Sequence, residues 1–214
     1  MWNSLKEVFE TLNSSDIEYL VLRNYELLTK DTFLIDHPDI DFLCDDREKM
    51  IKLLKAFPRE KKNDRIHMAI KVEGHTVPVD LRYTGDGYYD PKWEREMLKK
   101  RVMYNDLCYV MSREDYYYSL LYHALIQKRE IAPDYRVRLD AMRKELGIKE
   151  DEDLRILETY MKEKGYRYTY PELAVTMFNI EKADPSLVRN NTVRRIKRYL
   201  HGLKYDLGRI WAKR

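Results

Sequence analysis

Three aspartates are spaced so that they could bind a divalent cation together. Asp39 and Asp41 flank one apolar residue in a strand-like run that continues to Cys44, and Asp80 lies in a later strand-like run, His75 to Tyr83. Alternate residues of a strand point to the same face, so Asp39 and Asp41 would project side by side. Mg²⁺ prefers oxygen ligands and is commonly held by one or two carboxylates together with substrate phosphates. The spacing predicts a metal site, because three clustered carboxylates without a cation would repel one another and raise at least one pKa.

A solvated strand face is the alternative interpretation of the first two aspartates, because the chain has 37 Asp and Glu residues. Three features favour the metal site. The acids alternate with apolar residues on a predicted strand, a short apolar strand and a polar loop precede them, and the third acid falls in the middle of a later strand.

Hydrophobic periodicity predicts the elements that would position these aspartates. Up to Tyr83 the order is helix, strand, loop, strand, helix, strand, strand, with one helical turn in the loop and a hairpin at Glu73-Gly74. Helical spacing dominates beyond Pro91, with helices predicted over residues 93–102, 114–129, 135–146, 152–164 and 171–179 and from 186 onward. The sequence therefore predicts an α+β fold, with strands and helices in residues 1–105 and a helical domain in residues 106–214.

The charges are unevenly distributed. Residues 187–214 contain nine Lys or Arg and one acid, a net charge of +8, whereas the rest of the chain sums to −5. A basic segment after an acidic body favours contact with an anionic partner, and a solvated helix face is the alternative. Two cysteines without a CxxC spacing imply no disulfide framework, and no signal peptide or membrane span is evident. We therefore expect a cytoplasmic protein.

The chain resembles the nucleotidyltransferase-fold superfamily of DNA polymerase beta type. It is most similar to the nucleotidyltransferase-like proteins encoded with bacterial surface-polysaccharide genes. The segments that carry the resemblance are Tyr19 to Glu26, His37 to Leu43 and Val79 to Arg82, and Tyr122 to Lys128 is similar in character. The resemblance covers roughly residues 1 to 130 and implies a nucleotidyltransferase-like mixed sheet.

The resemblance also implies roles for individual residues. Asp39 and Asp41 would bind Mg²⁺ or Mn²⁺, and Asp80 would complete the metal site or act as the base toward an acceptor hydroxyl. The further candidates for substrate binding are Arg23, Asn24, His37, Arg82 and Lys128.

Three of these candidates have a structural alternative. Arg82 could clamp a phosphate or pair with the acids, and His37 could be a turn residue. Lys128 could reach a polyphosphate or complement the macrodipole of its helix. His123, in the same predicted helix, lies beside an apolar stripe, and a buried, hydrogen-bonded histidine is the favoured interpretation.

One segment departs from the superfamily pattern. Enzymes of this superfamily carry a Gly-Gly or Gly-Ser turn after the first strand, and its backbone N–H groups cradle the triphosphate. Here the corresponding residues are Arg23, Asn24 and Tyr25. Either the guanidinium of Arg23 replaces the backbone donors, or no triphosphate binds in the usual way.

The expected function is a metal-dependent transfer of a nucleotidyl group from a nucleoside triphosphate to a hydroxyl or phosphate acceptor, in surface-polysaccharide biosynthesis. One alternative is a phosphotransferase that uses a nucleotide-diphosphate-alcohol donor on the same three aspartates. The other alternative is a non-catalytic binding or regulatory module on a degenerate scaffold. The expected partners are a nucleotide-activated donor and a small-molecule or glycan acceptor, and the acidic body argues against nucleic acid.

A narrow apolar seam is predicted on the last helix, with arginines and lysines beside it. Its residues are spaced by three and four: Val193, Ile196, Leu200, Leu203, Leu207 and Ile210. Such a helix can lie on an anionic membrane surface, pair with another helix or pack on its own domain.

Overall fold

The computed structural model describes residues 1–36, 38–59, 66–171 and 177–189, and residues 192, 193, 196 and 200. The chain divides into two compact units. The first unit is Met1–Thr84 with Lys92–Tyr116, and the second is Gly85–Pro91 with Tyr117–Arg214. The domain division between residues 105 and 106 stays a prediction.

The sheet lies in the first unit and confirms the predicted α+β class. Among the described residues its strands are β1 (Tyr19–Val21), β2 (Ile40–Cys44), β3 (Phe57–Pro58), β4 (His67–Val72), β5 (His75–Tyr83), β6 (Val102–Tyr104) and β7 (Cys108–Val110). They form one sheet in the order β3-β4-β5-β2-β1-β7-β6. The sheet is mixed, because β2 is parallel to β5 and β1 is parallel to β7, whereas the other neighbours are antiparallel.

Apolar packing on one face determines the orientation of the central strands. Ile40 and Phe42 of β2 are buried, and so are Val79 and Leu81 of β5, which pair with them in register. Helix α1 (Leu5–Asn13) packs Phe9 against this face, with the Phe9 and Phe42 ring centroids 6.2 Å apart. Because strand residues alternate between faces, the aspartates of β2 and β5 must take the other face.

The remaining helices of the first unit are short. Helix α2 (Phe33–Asp36) and a 3₁₀ turn (Tyr25–Leu27) lie in the loop between β1 and β2, where the sequence predicted a single helical turn. Helix α3 (Arg47–Leu54) follows β2 and is capped by the Asp46 carboxylate, which accepts from the Lys49 N–H.

The sequence interpretation missed strands β6 and β7. Helix α4 (Pro91–Lys99) ends three residues before the predicted end at Val102, and the chain then forms the β6–β7 hairpin. Asn105 and Asp106 in its turn both have positive φ, at 48° and 52°. Two successive left-handed residues are the requirement of a tight hairpin turn, and Asn and Asp tolerate that conformation better than most residues.

The second unit is mainly helical. Helix α5 (Arg113–Tyr122), in which the division between the units falls, continues as a π-helical turn (His123–Gln127). Helices α6 (Pro133–Glu145) and α7 (Asp153–Lys164) follow, and then 3₁₀ turns at Ile180–Lys182 and Pro185–Leu187.

Two predicted helices fall largely outside the described residues. Of the helix predicted over 171–179, residues 172–176 are not described. Of the basic helix, residues 192, 193, 196 and 200 are described, and all four are helical. In the part of the chain that the structure describes, no helix combines the length and apolarity needed to cross a bilayer.

Candidate metal centre

Asp39, Asp41 and Asp80 come together at the surface of the sheet. Asp41 and Asp80 are paired residues on the parallel strands β2 and β5, and Asp39 directly precedes β2 on the same face. One carboxylate oxygen from each lies within 4.8 Å of the others. We call these three residues the carboxylate cluster.

The surroundings of the cluster disfavour the charged forms of Asp39 and Asp80. Reduced solvation, followed by the charges of Asp41 and Asp80, raises the pKa of Asp39 to about 6. Asp39 is nevertheless exposed as a residue, so the surrounding protein reduces its hydration without closing it off from solvent. Burial and the charge of Asp41 likewise raise the pKa of Asp80. Both shifts are expected for carboxylates that share one site.

One oxygen of the cluster has no hydrogen bond. Asp80 Oδ1 is buried and has no hydrogen-bond partner among the described residues. Buried polar atoms in folded proteins nearly always have a partner, so an exception of this kind marks a position where a ligand belongs. An unsatisfied carboxylate oxygen among raised pKa values fits a hard divalent cation such as Mg²⁺ or Mn²⁺, which takes oxygen ligands.

Arg23 forms the closest contact to the cluster. Its Nη2 lies 2.6 Å from Asp41 Oδ2, and the two side chains are only 9 % and 15 % exposed. Strand β1 is antiparallel to β2, so the chain leaves β1 beside the first residues of β2, and Leu22 N–H donates to the carbonyl of Asp41 at 2.8 Å. This geometry brings Arg23 directly over the aspartate.

The turn after Arg23 contains a residue in the left-handed conformation that glycine adopts most readily, but this residue is Asn24. Asn24 has φ 56° and ψ 21°, the left-handed region that Asn tolerates and β-branched residues avoid. Tyr25 is buried, with its ring centroid 4.8 Å from that of Tyr104 and 5.2 Å from that of Tyr116. Asn24 therefore shapes the turn and Tyr25 anchors it, which fixes the backbone on which Arg23 is mounted.

The other candidate residues are placed differently. Arg82 is buried and lies two residues after Asp80 on β5. Its charge lowers the pKa of Asp80, but burial and the charge of Asp41 have larger effects and raise it. His37 lies outside the described residues. Lys128 is an exposed residue of the second unit that ends the π-helical turn, and its role in substrate binding stays a prediction. His123 is buried and hydrogen-bonded, as favoured from the sequence.

Two basic residues near the cluster, His67 and Arg59, were missed by sequence reasoning. His67 Nε2 lies 3.8 Å from Asp80 Oδ2, and the charge of Arg59 lowers the pKa values of both Asp39 and Asp80. The predicted hairpin contained the signal for His67. It is the sixth residue before the Glu73-Gly74 turn and Asp80 is the sixth after it, so the two must pair across β4 and β5. Arg59 had no comparable signal, because β3 is only two residues long.

Two solved structures align with about three quarters of the chain. An antigenic nucleotidyltransferase-like protein from Paracoccidioides brasiliensis aligns with 76 % of this chain and 89 % of its own, at 15 % identity and a TM-score of 0.46. The antibiotic-resistance factor ANT(2'')-Ia aligns with 74 % of this chain and 89 % of its own, at 11 % identity and a TM-score of 0.41. No family model matches the chain. No curated protein matches it either. The function proposed below rests on the carboxylate cluster.

Proposed function

We propose that the chain is a divalent-metal-dependent nucleotidyltransferase that moves a nucleotidyl group from a nucleoside triphosphate to a hydroxyl or phosphate acceptor. The observation that carries this proposal is the carboxylate cluster, with its raised pKa values and the unsatisfied Asp80 Oδ1. These features support a cation site at the cluster. Phosphoryl chemistry requires little more from a protein than positioning and neutralisation of charge.

The residues of the chain divide these tasks. Asp39 and Asp41 would hold the cation, and Asp80 would either complete its coordination or accept the proton of the acceptor hydroxyl. When bound, Mg²⁺ or Mn²⁺ would neutralise phosphate charge and lower the pKa of a coordinated hydroxyl. Arg23 and Arg82 supply guanidinium groups, whose planar forks match phosphate oxygens. By the sequence resemblance, Arg23 would take the place of the glycine turn of the superfamily, and the left-handed turn at Asn24 supports that role.

The acceptor is proposed to be a sugar, polyol or glycan of surface-polysaccharide biosynthesis. A phosphotransferase with a nucleotide-diphosphate-alcohol donor would use the same aspartates and differ in its leaving group. That enzyme would release a nucleoside monophosphate, whereas a nucleotidyltransferase releases pyrophosphate.

A non-catalytic binding module is the second candidate. The specific observation in its favour is the 2.6 Å contact between Arg23 and Asp41, in which a cation of the protein already neutralises one carboxylate. Fold alone does not decide between a catalytic and a binding role.

The experiment that tests the proposal is a thermal-shift screen. ATP, GTP, CTP, UTP and nucleotide-diphosphate adducts are each added with and without Mg²⁺ to the wild type, Asp41→Asn and the exposed control Asp31→Asn. A ligand that binds only the folded state raises the melting midpoint by mass action. We expect a Mg²⁺-dependent shift with one donor class, retained in Asp31→Asn and lost in Asp41→Asn.

Product analysis with the donor found in this screen distinguishes the candidates. Release of pyrophosphate supports the nucleotidyltransferase, and release of a nucleoside monophosphate supports the phosphotransferase. A metal-dependent shift without turnover on any tested acceptor supports the binding module. No shift with any donor would contradict both enzymes and favour a non-catalytic module that binds no nucleotide.

We also propose peripheral contact between the basic helix and an anionic membrane surface. Val193, Ile196 and Leu200 are 64 %, 53 % and 59 % exposed, and their spacing puts them on one side of a helix. Residues 187–214 carry a net charge of +8, which complements anionic lipid headgroups.

Co-sedimentation with phosphatidylglycerol-containing vesicles tests this contact. We expect binding that decreases with salt, is absent with phosphatidylcholine alone and is lost in Ile196→Glu. Val137→Glu is the matched control, because Val137 is also an exposed apolar residue, 70 % exposed, but lies in α6. Equal binding by both variants would contradict the proposal.

A further inference from the structure

We propose that Arg23 makes metal binding at the carboxylate cluster depend on phosphate. In the absence of metal, its guanidinium is the counter-ion of Asp41. When a divalent cation binds Asp41, the guanidinium moves to the phosphate of the donor. This inference rests on the proposed function and concerns the order in which its site is assembled.

Arg23 and a divalent cation would compete for the carboxylate of Asp41. Arg23 Nη2 lies 2.6 Å from Asp41 Oδ2, a charge-assisted hydrogen bond between two side chains that are 9 % and 15 % exposed. A divalent cation at the cluster binds the same carboxylate through one of its oxygens. Its positive charge repels the guanidinium at short range, so metal binding weakens the contact.

The weakened contact with Asp41 affects the guanidinium of Arg23. Weakening this contact deprives a guanidinium that is only 9 % exposed of a charge-assisted hydrogen bond, which is unfavourable. A phosphate group is a suitable replacement, because it accepts two parallel hydrogen bonds from a guanidinium. Metal without phosphate is therefore disfavoured at this site.

Phosphate binding at this site depends on the metal in turn. Phosphate without metal meets three carboxylates, one oxygen of each lying within 4.8 Å of the others, and their negative charge repels it. Each ligand removes the obstacle to the other, and thermodynamic linkage makes the two effects equal. Typical coupling between two such sites corresponds to about 5- to 150-fold in affinity.

The backbone around Arg23 supports a movement of the side chain alone. Asn24 is held in the left-handed conformation, and Tyr25 is packed against Tyr104 and Tyr116. On the other side, Leu22 is hydrogen-bonded to β2. With both neighbours fixed, the long arginine side chain is the part that can exchange partners.

The test measures Mn²⁺ affinity by the electron paramagnetic resonance signal of free Mn²⁺, with and without inorganic phosphate and corrected for Mn²⁺–phosphate complexes in buffer. We expect phosphate to increase the affinity of the wild type at least about 5-fold. Arg23→Gln should bind Mn²⁺ more tightly than the wild type without phosphate and gain little when phosphate is added. Arg23→Lys keeps the charge but loses the planar fork, so its phosphate dependence should be smaller than that of the wild type.

Arg59→Gln is the matched control for general electrostatics. Arg59 acts on Asp39 and Asp80 through its charge, and the contact with Asp41 is made by Arg23. Its removal should increase Mn²⁺ affinity equally with and without phosphate and leave the phosphate dependence intact.

Three outcomes would overturn the inference. Equal wild-type affinity with and without phosphate excludes the coupling, and undiminished coupling in Arg23→Gln and Arg23→Lys assigns it to another residue. In both cases Mn²⁺ still binds, so the proposed metal site survives. Failure of the folded wild type and Arg23→Gln to bind Mn²⁺ under either condition overturns the metal site and this inference together.

Discussion

Two polar clusters in the molecule differ in how their groups are partnered. The carboxylate cluster of the first unit has two raised pKa values and a buried oxygen without a hydrogen bond among the described residues. In the second unit, His123 Nδ1 lies 3.1 Å from Tyr88 Oη and 2.7 Å from Gln127 Oε1, and Gln127 Nε2 donates to the Tyr88 carbonyl at 2.9 Å. We call Tyr88, His123 and Gln127 the histidine cluster.

This difference is the reason for proposing a binding site in the first cluster and a structural network in the second. Buried groups that satisfy one another hold a packed core in one arrangement and need no ligand. Like charges gathered at a surface cost stability, and they are retained where a ligand compensates them. Substitutions should therefore have opposite effects in the two clusters.

The largest effect is expected for Asp80→Asn in the carboxylate cluster. We predict that Mn²⁺ affinity falls more than about 100-fold, because loss of groups outside the coordination sphere alone costs 10- to 100-fold. Without metal at pH 7.5 the variant should be more stable by roughly 0.5–1 kcal/mol, or about 1–4 °C, because a charge disfavoured in the folded state is removed. Metal titration and thermal unfolding in EDTA measure the two effects. A variant that is destabilised and still binds Mn²⁺ would show that Asp80 has a structural role.

The next largest effect is expected for Gln127→Leu in the histidine cluster. The side chain is 1 % exposed, and its loss leaves His123 Nδ1 and the Tyr88 carbonyl with fewer partners. We predict destabilisation of about 2–4 kcal/mol, a decrease of roughly 5–15 °C in melting midpoint. Mn²⁺ affinity should stay within about twofold of the wild type, since no ligand of the proposed site is changed. The exposed variant Glu130→Ala should leave both quantities unchanged, and a large loss of metal affinity in Gln127→Leu would remove the distinction between the clusters.

A smaller effect is expected at Asn24, the structural part of the carboxylate site. A β-branched residue in the left-handed region costs about 1–2 kcal/mol, so Asn24→Val should lower the unfolding free energy by that amount. Asn24→Gly should change it by only a few tenths of a kcal/mol, because glycine adopts positive φ readily. Chemical denaturation measures both. Equal losses in the two variants would indicate that the side chain of Asn24, rather than its backbone conformation, is required.

The smallest effect is a pH dependence at Asp39. Its folded-state pKa of about 6 exceeds the ordinary value of 3.8, so proton binding favours the folded state. This contribution is complete below about pH 4 and is lost as the pH rises through 6. In EDTA the wild type should therefore lose stability relative to Asp39→Asn between pH 4 and pH 7, by a few tenths of a kcal/mol because Asp39 is exposed. Saturating Mg²⁺ should reverse the difference at pH 7, and a pH-independent difference in EDTA would contradict the assigned shift.

Local patterns in the sequence predicted the centre of the fold and the clustering of the aspartates. Alternation of apolar residues was enough to predict β2 and β5 and the face that their carboxylates share. The carboxylates meet because the two strands are parallel neighbours with Asp41 opposite Asp80. Strands β6 and β7 were missed, because three-residue strands carry too little alternation to be distinguished from the end of a helix.

Contacts set by strand register were harder to predict. The pairing of Arg23 with Asp41 depends on the antiparallel alignment of β1 and β2. The contact of His67 with Asp80 depends on the alignment of β4 and β5. The second register was available from the hairpin turn, whereas the first spans a loop of more than fifteen residues between β1 and β2. Sequence spacing across such a loop does not determine register.

Diffraction from crystals equilibrated with Mn²⁺ and phosphate tests the central claim most directly, because the anomalous signal locates the ion. The account predicts a Mn²⁺ peak bound by carboxylate oxygens of Asp39, Asp41 and Asp80, with the Arg23 guanidinium turned from Asp41 to the phosphate. Absence of a peak at the carboxylate cluster, with Arg23 still 2.6 Å from Asp41, would contradict it.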